Sequence, residues 1–167
     1  GKVAVVQNGI IENFLELKTK LEKEGVNFKS DTDTEIIPHL IQKELNNLNK
    51  LNLESNGSTL LVAVRNVISD LEGAYALAVI WSGAPDSLVV ARRQAPLIIG
   101  LGEGEFVCAS DTPAIANFTK TILPMEDEEI GLLTPLGIEL YDADNERQYR
   151  NPVSLKISEE VVDKKNF

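Results

Sequence analysis

Tyr75-Ala76-Leu77-Ala78-Val79-Ile80-Trp81, Leu88-Val89-Val90-Ala91, Leu97-Ile98-Ile99-Gly100 and Glu105-Phe106-Val107-Cys108-Ala109 follow one another with only Gly, Pro, Asp and a few other polar residues between them. Short apolar runs rich in β-branched and aromatic residues, punctuated by turn formers, predict four strands in tight succession. Residues 121–123, 130–134 and 138–141 continue the pattern, with Gly137 and the cluster at 142–145 as turns. Asp111 and Pro113 predict the cap and first turn of one brief helix among them. Upstream the period changes. Residues 3–6 form a β-branched run that predicts a strand buried on both faces and stopped by an Asn8-Gly9 turn. Phe14, Leu17 and Leu21 recur at helical spacing up to Gly25. Ile37, Leu40, Ile41 and Leu45 repeat it, with Pro38 in the first turn and the cap-forming residues 30–34 before it. Residues 46–58 predict a loop. Leu61, Val64, Ile68 and Leu71 predict a third helix, closed by Gly73. Helices grouped before hairpin-spaced strands argue for an α+β layered fold, not a doubly wound parallel sheet.

Composition narrows the function classes. The chain has 167 residues, 43% of them hydrophobic, which predicts one packed domain. Its formal charge of −10 opposes binding to nucleic acid or to anionic membranes, because no cationic excess exists to displace counterions. One cysteine excludes an internal disulfide framework, and the cytoplasm is the expected location. No apolar run approaches the roughly 20 residues a membrane helix needs. The body is expected over residues 1–153, with residues 154–167 as a charged linker tail.

Few residues invite a chemical reading. Cys108 sits in an apolar strand without a nearby histidine and reads as an inert thiol. His39 is the only histidine and lacks partners for a metal site. Gly100, Gly102 and Gly104 lie between two strands, so they read as a hairpin turn and not as a phosphate loop opening a helix. The acidic run at 126–129 matches no calcium-loop spacing. Asn8-Gly9 could offer a side-chain amide and a backbone N–H to a developing oxyanion, although a plain turn is the simpler local reading. Asp33, among threonines at a helix start, could cap that helix or hold a ligand's ammonium group. Neither supplies a nucleophile.

The ordered string Gln7-Asn8-Gly9-Ile10-Ile11-Glu12-Asn13-Phe14, Ser30-Asp31-Thr32-Asp33-Thr34-Glu35, Leu71-Glu72-Gly73-Ala74-Tyr75-Ala76-Leu77, Ala91-Arg92-Arg93 with Ala95-Pro96-Leu97-Ile98-Ile99-Gly100-Leu101-Gly102, and Ala109-Ser110-Asp111 resembles the class II glutaminase domains of glutamine–fructose-6-phosphate aminotransferases. The likeness covers about 150 residues. It implies an N-terminal-nucleophile hydrolase fold, a four-layer αββα sandwich, here incomplete. It implies glutamine as substrate and no metal or organic cofactor. Asn8 and Gly9 would form the oxyanion hole, and Asp33 would hold the α-amino group of glutamine. In that family an N-terminal cysteine attacks the amide, and sugar-isomerase domains use the ammonia. Neither that cysteine nor those domains are in this sequence, so the chain alone is expected not to hydrolyse glutamine and is expected to self-associate through uncovered strand edges. Arg92 and Arg93 are not expected to bind the phosphosugar, whose site the resemblance places in the isomerase domains. The alternatives are a glutaminase fragment of another amidotransferase, such as an amidophosphoribosyltransferase, and a non-catalytic module of the same fold.

Overall fold

In the computed structural model, residues 2–155 are described and form the elements β1 (Val3–Ile11), α1 (Phe14–Lys23), α2 (Ile36–Lys50), α3 (Gly57–Ile68), β2 (Gly73–Trp81), β3 (Leu88–Arg93), β4 (Ile98–Leu101), β5 (Phe106–Ala109), α4 (Thr112–Ala116), β6 (Thr121–Pro124), β7 (Ile130–Thr134), β8 (Gly137–Tyr141), β9 (Arg147–Gln148) and β10 (Val153–Ser154). The strands make two antiparallel sheets, ordered β1-β2-β3-β7-β8-β9 and β10-β6-β4-β5. Alternation along β2 and β3 explains the layering. Leu77, Val79, Trp81, Val89 and Ala91 face the helices and share a core with Ile37, Ile41 and Leu45 of α2 and Leu60 and Val64 of α3. The intervening residues Ala76 and Val90 face the other way, into a second core with Leu97, Ile99, Leu123, Met125, Leu133 and Leu140. On the outer side of the smaller sheet, Ile115 of α4 lies over Gly100. The layers therefore run helix, sheet, sheet, helix, the last reduced to a five-residue α4 among the described residues.

Local signals explain most boundaries. Asn56 caps α3, its Oδ1 accepting the Thr59 N–H at 3.0 Å, and Asp111 does the same for Ala114 at 3.0 Å before α4. Gly25 takes φ +89° just after α1.

Other expectations need correction. Asn8-Gly9 is not a turn: β1 runs through it, paired with β2 without interruption from Val3↔Trp81 to Ile11↔Gly73. Nor is β1 buried on both faces, since it lies at the edge of its sheet and Val6 is 73% exposed. The helix α2 extends to Lys50, because Leu48 continues its buried stripe and outweighs the poor helix propensity of the asparagines. Leu71 is buried but lies beyond α3, and Gly73 opens β2 instead of closing a helix. The two-residue strands β9 and β10 were too short to show a period. Ser154, placed in the tail, still pairs with Thr121, and the Leu155 N–H donates to Lys120 O at 2.7 Å. The rest of the expected tail lies outside the described residues.

Candidate functional site

The end of β1 meets a single turn of 3-10 helix at Asp33–Glu35. Asp33 caps nothing there. Its Oδ2 instead accepts the backbone N–H of Ile11 at 2.8 Å, a contact spanning 22 residues of sequence. Gln7 completes the junction. Its Nε2 donates to Gly9 O at 2.9 Å and lies 3.5 Å from Asp33 Oδ2, while its Oε1 accepts the Thr34 hydroxyl at 2.5 Å. One side chain thus ties the Gly9 backbone to the turn that carries Asp33.

The turn has its own anchor. The Glu35 carboxylate accepts the N–H groups of Lys29 and Ser30, each at 2.7 Å, and the Ser30 hydroxyl at 2.5 Å. These donors, the Ser30 hydroxyl first and the Lys29 N–H next, hold the Glu35 carboxyl down to about 2. Ile36 and Ile37 follow at once and are fully buried, so the loop is fixed on both sides of Asp33.

Gly9 adopts φ +115°, and a Cβ there would overlap the carbonyl oxygen of Ala74 on β2. Only glycine fits both the angle and the close approach. Asn8 is exposed, and strand alternation puts its side chain on the opposite face of β1 from Gln7. The structure therefore joins Gly9 and Asp33 through Gln7, whereas the Asn8 amide stands on the other face of the strand, the one that its partner Ala76 turns towards the second sheet, outside that network. The more pronounced concavities lie elsewhere, one between α1, α2 and Arg93, another at the rim between the sheets around Phe106.

Residues expected to be inert find structural roles. Cys108 is half-buried in β5, and burial pushes its thiol up, away from the thiolate a nucleophile needs. His39 packs edge-on against Phe28, with ring centroids 5.1 Å apart, and lies 3.7 Å from Glu35. Gly102 and Gly104 shape the β4–β5 hairpin, where the Gly102 N–H donates to Glu105 O at 2.9 Å. In the acidic turn, Glu129 is 2% exposed and receives both ends of the Arg150 guanidinium at 2.6 and 2.8 Å. The Arg92 Nη1 donates to Met125 O at 2.8 Å. Gln7 is the site residue that sequence reasoning missed. Its signal was a polar residue where Val3 and Val5 predict another apolar one on the helix-facing side.

Comparison with known proteins gives this geometry a context. The sequence model of the glutamine amidotransferase domain matches residues 1–117. Proteins named glutamine–fructose-6-phosphate aminotransferase (isomerizing) are 50% identical in Thermosynechococcus vestitus, over 99% of this chain, and 37% identical in Methanosarcina acetivorans, over its whole length. The chain spans about a quarter of each, 26% and 27% respectively. Among solved structures, the glutamine phosphoribosylpyrophosphate amidotransferase of B. subtilis superposes with a TM-score of 0.68 at 28% identity, over 89% of this chain and 30% of that one. A class-II glutamine aminotransferase domain protein from Silicibacter pomeroyi superposes with a TM-score of 0.51 at 11% identity, over 84% of this chain and 66% of that one. The αββα layering is therefore that of the class II amidotransferases, with N-terminal-nucleophile hydrolase architecture. With β1 and the Asp33–Glu35 turn held together through Gln7, and with the family's sequence model matching most of its length, the chain belongs to the glutamine amidotransferase domain family.

Proposed function

We propose that this chain forms the substrate-binding portion of a glutaminase domain that supplies ammonia to an aminotransferase making glucosamine 6-phosphate from fructose 6-phosphate. The observation that carries this reading is the hydrogen-bonded junction of Gly9, Gln7 and Asp33, set in a sequence half identical to enzymes of that name. The 50% identity to aminotransferases, against 28% to the phosphoribosyl enzyme, favours the sugar acceptor.

Asp33 uses Oδ2 to hold the Ile11 N–H, leaving Oδ1 to receive the α-ammonium of glutamine. The thiol comes from polypeptide outside these 167 residues, because Cys108 is a strand thiol suppressed by burial. The thiolate attacks the glutamine Cδ, and the amide oxygen becomes an oxyanion held by the Gly9 N–H and the Asn8 side-chain amide. Collapse of this intermediate breaks the C–N bond, the nitrogen leaves with a proton as ammonia, and water then releases glutamate from the thioester. Accordingly, these residues alone do not turn over glutamine. The reading also places the protein in the cytoplasm. The uncovered edge of β1 favours self-association of the isolated chain.

The test is Asp33→Asn in the full-length aminotransferase. Hydrogen bonds to charged groups contribute about 1.5–3 kcal/mol, so KM for glutamine should rise about 10- to 100-fold with a smaller change in kcat. An unchanged KM in a variant of unaltered melting temperature would remove Asp33 from the binding site.

A further inference from the structure

On the helix-facing side of the larger sheet, α3, β2, β3, β7 and the turn at 142–143 border an open cleft of about 180 Å³ that the glutaminase reading does not use. Arg65 of α3, Arg93 of β3 and Tyr75 of β2 line it together with the carboxylates Glu128 and Asp142. That volume is room for roughly six waters at bulk density. The Nε and Nη2 atoms of Arg65 and the Nε of Arg93 are buried without a hydrogen-bond partner among the described residues. Buried donors left unpaired are costly, and an arginine with two of them calls for an acceptor. No carboxylate among the described residues lies within ion-pair distance of Arg65, whose guanidinium carbon stands 5.2 Å over the Tyr141 ring.

The neighbouring acids do not fill the gap. Both oxygens of Asp142 are occupied, Oδ1 by the N–H groups of Asp144 and Glu146 and Oδ2 by Gln148 Nε2. Glu128 lies 3.6 Å from Arg93 Nε, beyond hydrogen-bond distance, and its side chain is half exposed at the end of a turn. Arg92 lines the same cavity, where its Nη1 donates to the Met125 carbonyl and its Nε is unpartnered among the described residues, and the Nη1 of Arg93 donates to Leu71 O at 3.2 Å, leaving its Nε to the cavity.

We infer that the Arg65–Arg93–Tyr75 cavity binds a phosphate group, either free phosphate or the terminal group of a small phosphomonoester. Two guanidinium groups and a phenol arriving from three different elements offer donors in several planes, which suits a tetrahedral oxyanion better than a flat carboxylate. Glu128 swings outward as the anion takes its place beside Arg93. This site is separate from the Gly9–Asp33 junction and does not depend on the glutaminase reading.

Thermal unfolding of the protein in phosphate, in glucose 6-phosphate and in chloride, at matched ionic strength, tests the inference. Phosphate should raise the melting temperature saturably, and Arg65→Gln should abolish the rise while folding normally, because the Arg65 side chain makes no hydrogen bond or ion pair among the described residues. Phosphorus-31 line broadening on addition of unaltered protein provides a second readout, lost in Arg65→Gln and reduced in Arg65→Lys, which keeps charge but not the fork. A response to glucose 6-phosphate assigns the site to phosphomonoesters, and a response to phosphate alone assigns it to the free ion. Equal melting in phosphate and chloride without line broadening, or full retention of both signals in Arg65→Gln, overturns the inference.

Discussion

Gly9 meets two demands together, a left-handed φ and a backbone approach to Ala74 that leaves no room for a side chain. Gly25 meets only the first, since nothing lies within 4 Å of where its Cβ would stand. The pair therefore separates strain from collision. Gly25→Ala should cost about 1 kcal/mol by urea unfolding, whereas Gly9→Ala should cost at least about 2 kcal/mol. Equal losses would mean that β2 yields freely at Ala74. Glu35 makes a pH prediction. Its carboxyl is lowered in the folded protein, so its contribution is complete above the ordinary value of 4.5 and disappears as pH falls through about 2. The stability difference between the native protein and Glu35→Gln should be constant near neutrality and shrink only across that acid window. A difference that already changes near neutrality would remove the Glu35 carboxylate as its cause. In the sequence, Gly9 and Asp33 were legible through the family string, since a dipeptide and a lone acid carry little alone. Gln7 was not, because its partners Gly9, Asp33 and Thr34 come together only once the chain has folded.

At the level of elements, apolar periodicity located α1, α2, α3 and all but the two shortest strands, and the Asp111 cap with Pro113 located α4. The failures share one cause: local preference was overruled by pairing or burial made elsewhere. Asn8-Gly9 has every local reason to turn, yet Ile10 and Ile11 continue opposite Ala74 and Gly73 and hold the chain extended. The asparagines after Leu45 favour a loop, yet Leu48 reaches the core and carries α2 onward. The acidic turn between β6 and β7 shows the reverse, a charged run that delivers one carboxylate to the interior. Arg150 reaches it with two hydrogen bonds and adds a third to Pro124 O at 2.8 Å, securing the segment that leads into β10. Arg150→Met leaves Glu129 buried without its partner and should cost about 3–5 kcal/mol in urea unfolding. Replacing Glu129 by Leu in the same protein should recover part of the loss. No recovery would place the role of Arg150 in its bond to Pro124 instead.

Across the whole molecule, the layer order was legible because helices and strands are segregated along the chain, while the sheet margins were not. β1 borders its sheet, and Val6 and Ile10, on the face that Ala78 of β2 turns towards the second sheet, are 73% and 67% exposed, as is Ile80 of β2 at 53%. Covering a large aliphatic side chain contributes about 1.5–3 kcal/mol, so this face favours contact with a second copy. Sedimentation of the 167-residue chain should show association that rises with concentration and is reduced by Val6→Lys or Ile10→Lys. A monomer at all concentrations would mean the edge is protected in solution. The placement of β1 also bears on biosynthesis. Val3 finds its partner at Trp81, so this first strand leaves the ribosome about 80 residues before the strand it must join. At about 5–20 residues per second it waits roughly 4–16 s. During that interval its apolar side chains are open to chaperones, and the pairing that fixes Gly9 against Ala74 has to wait for β2.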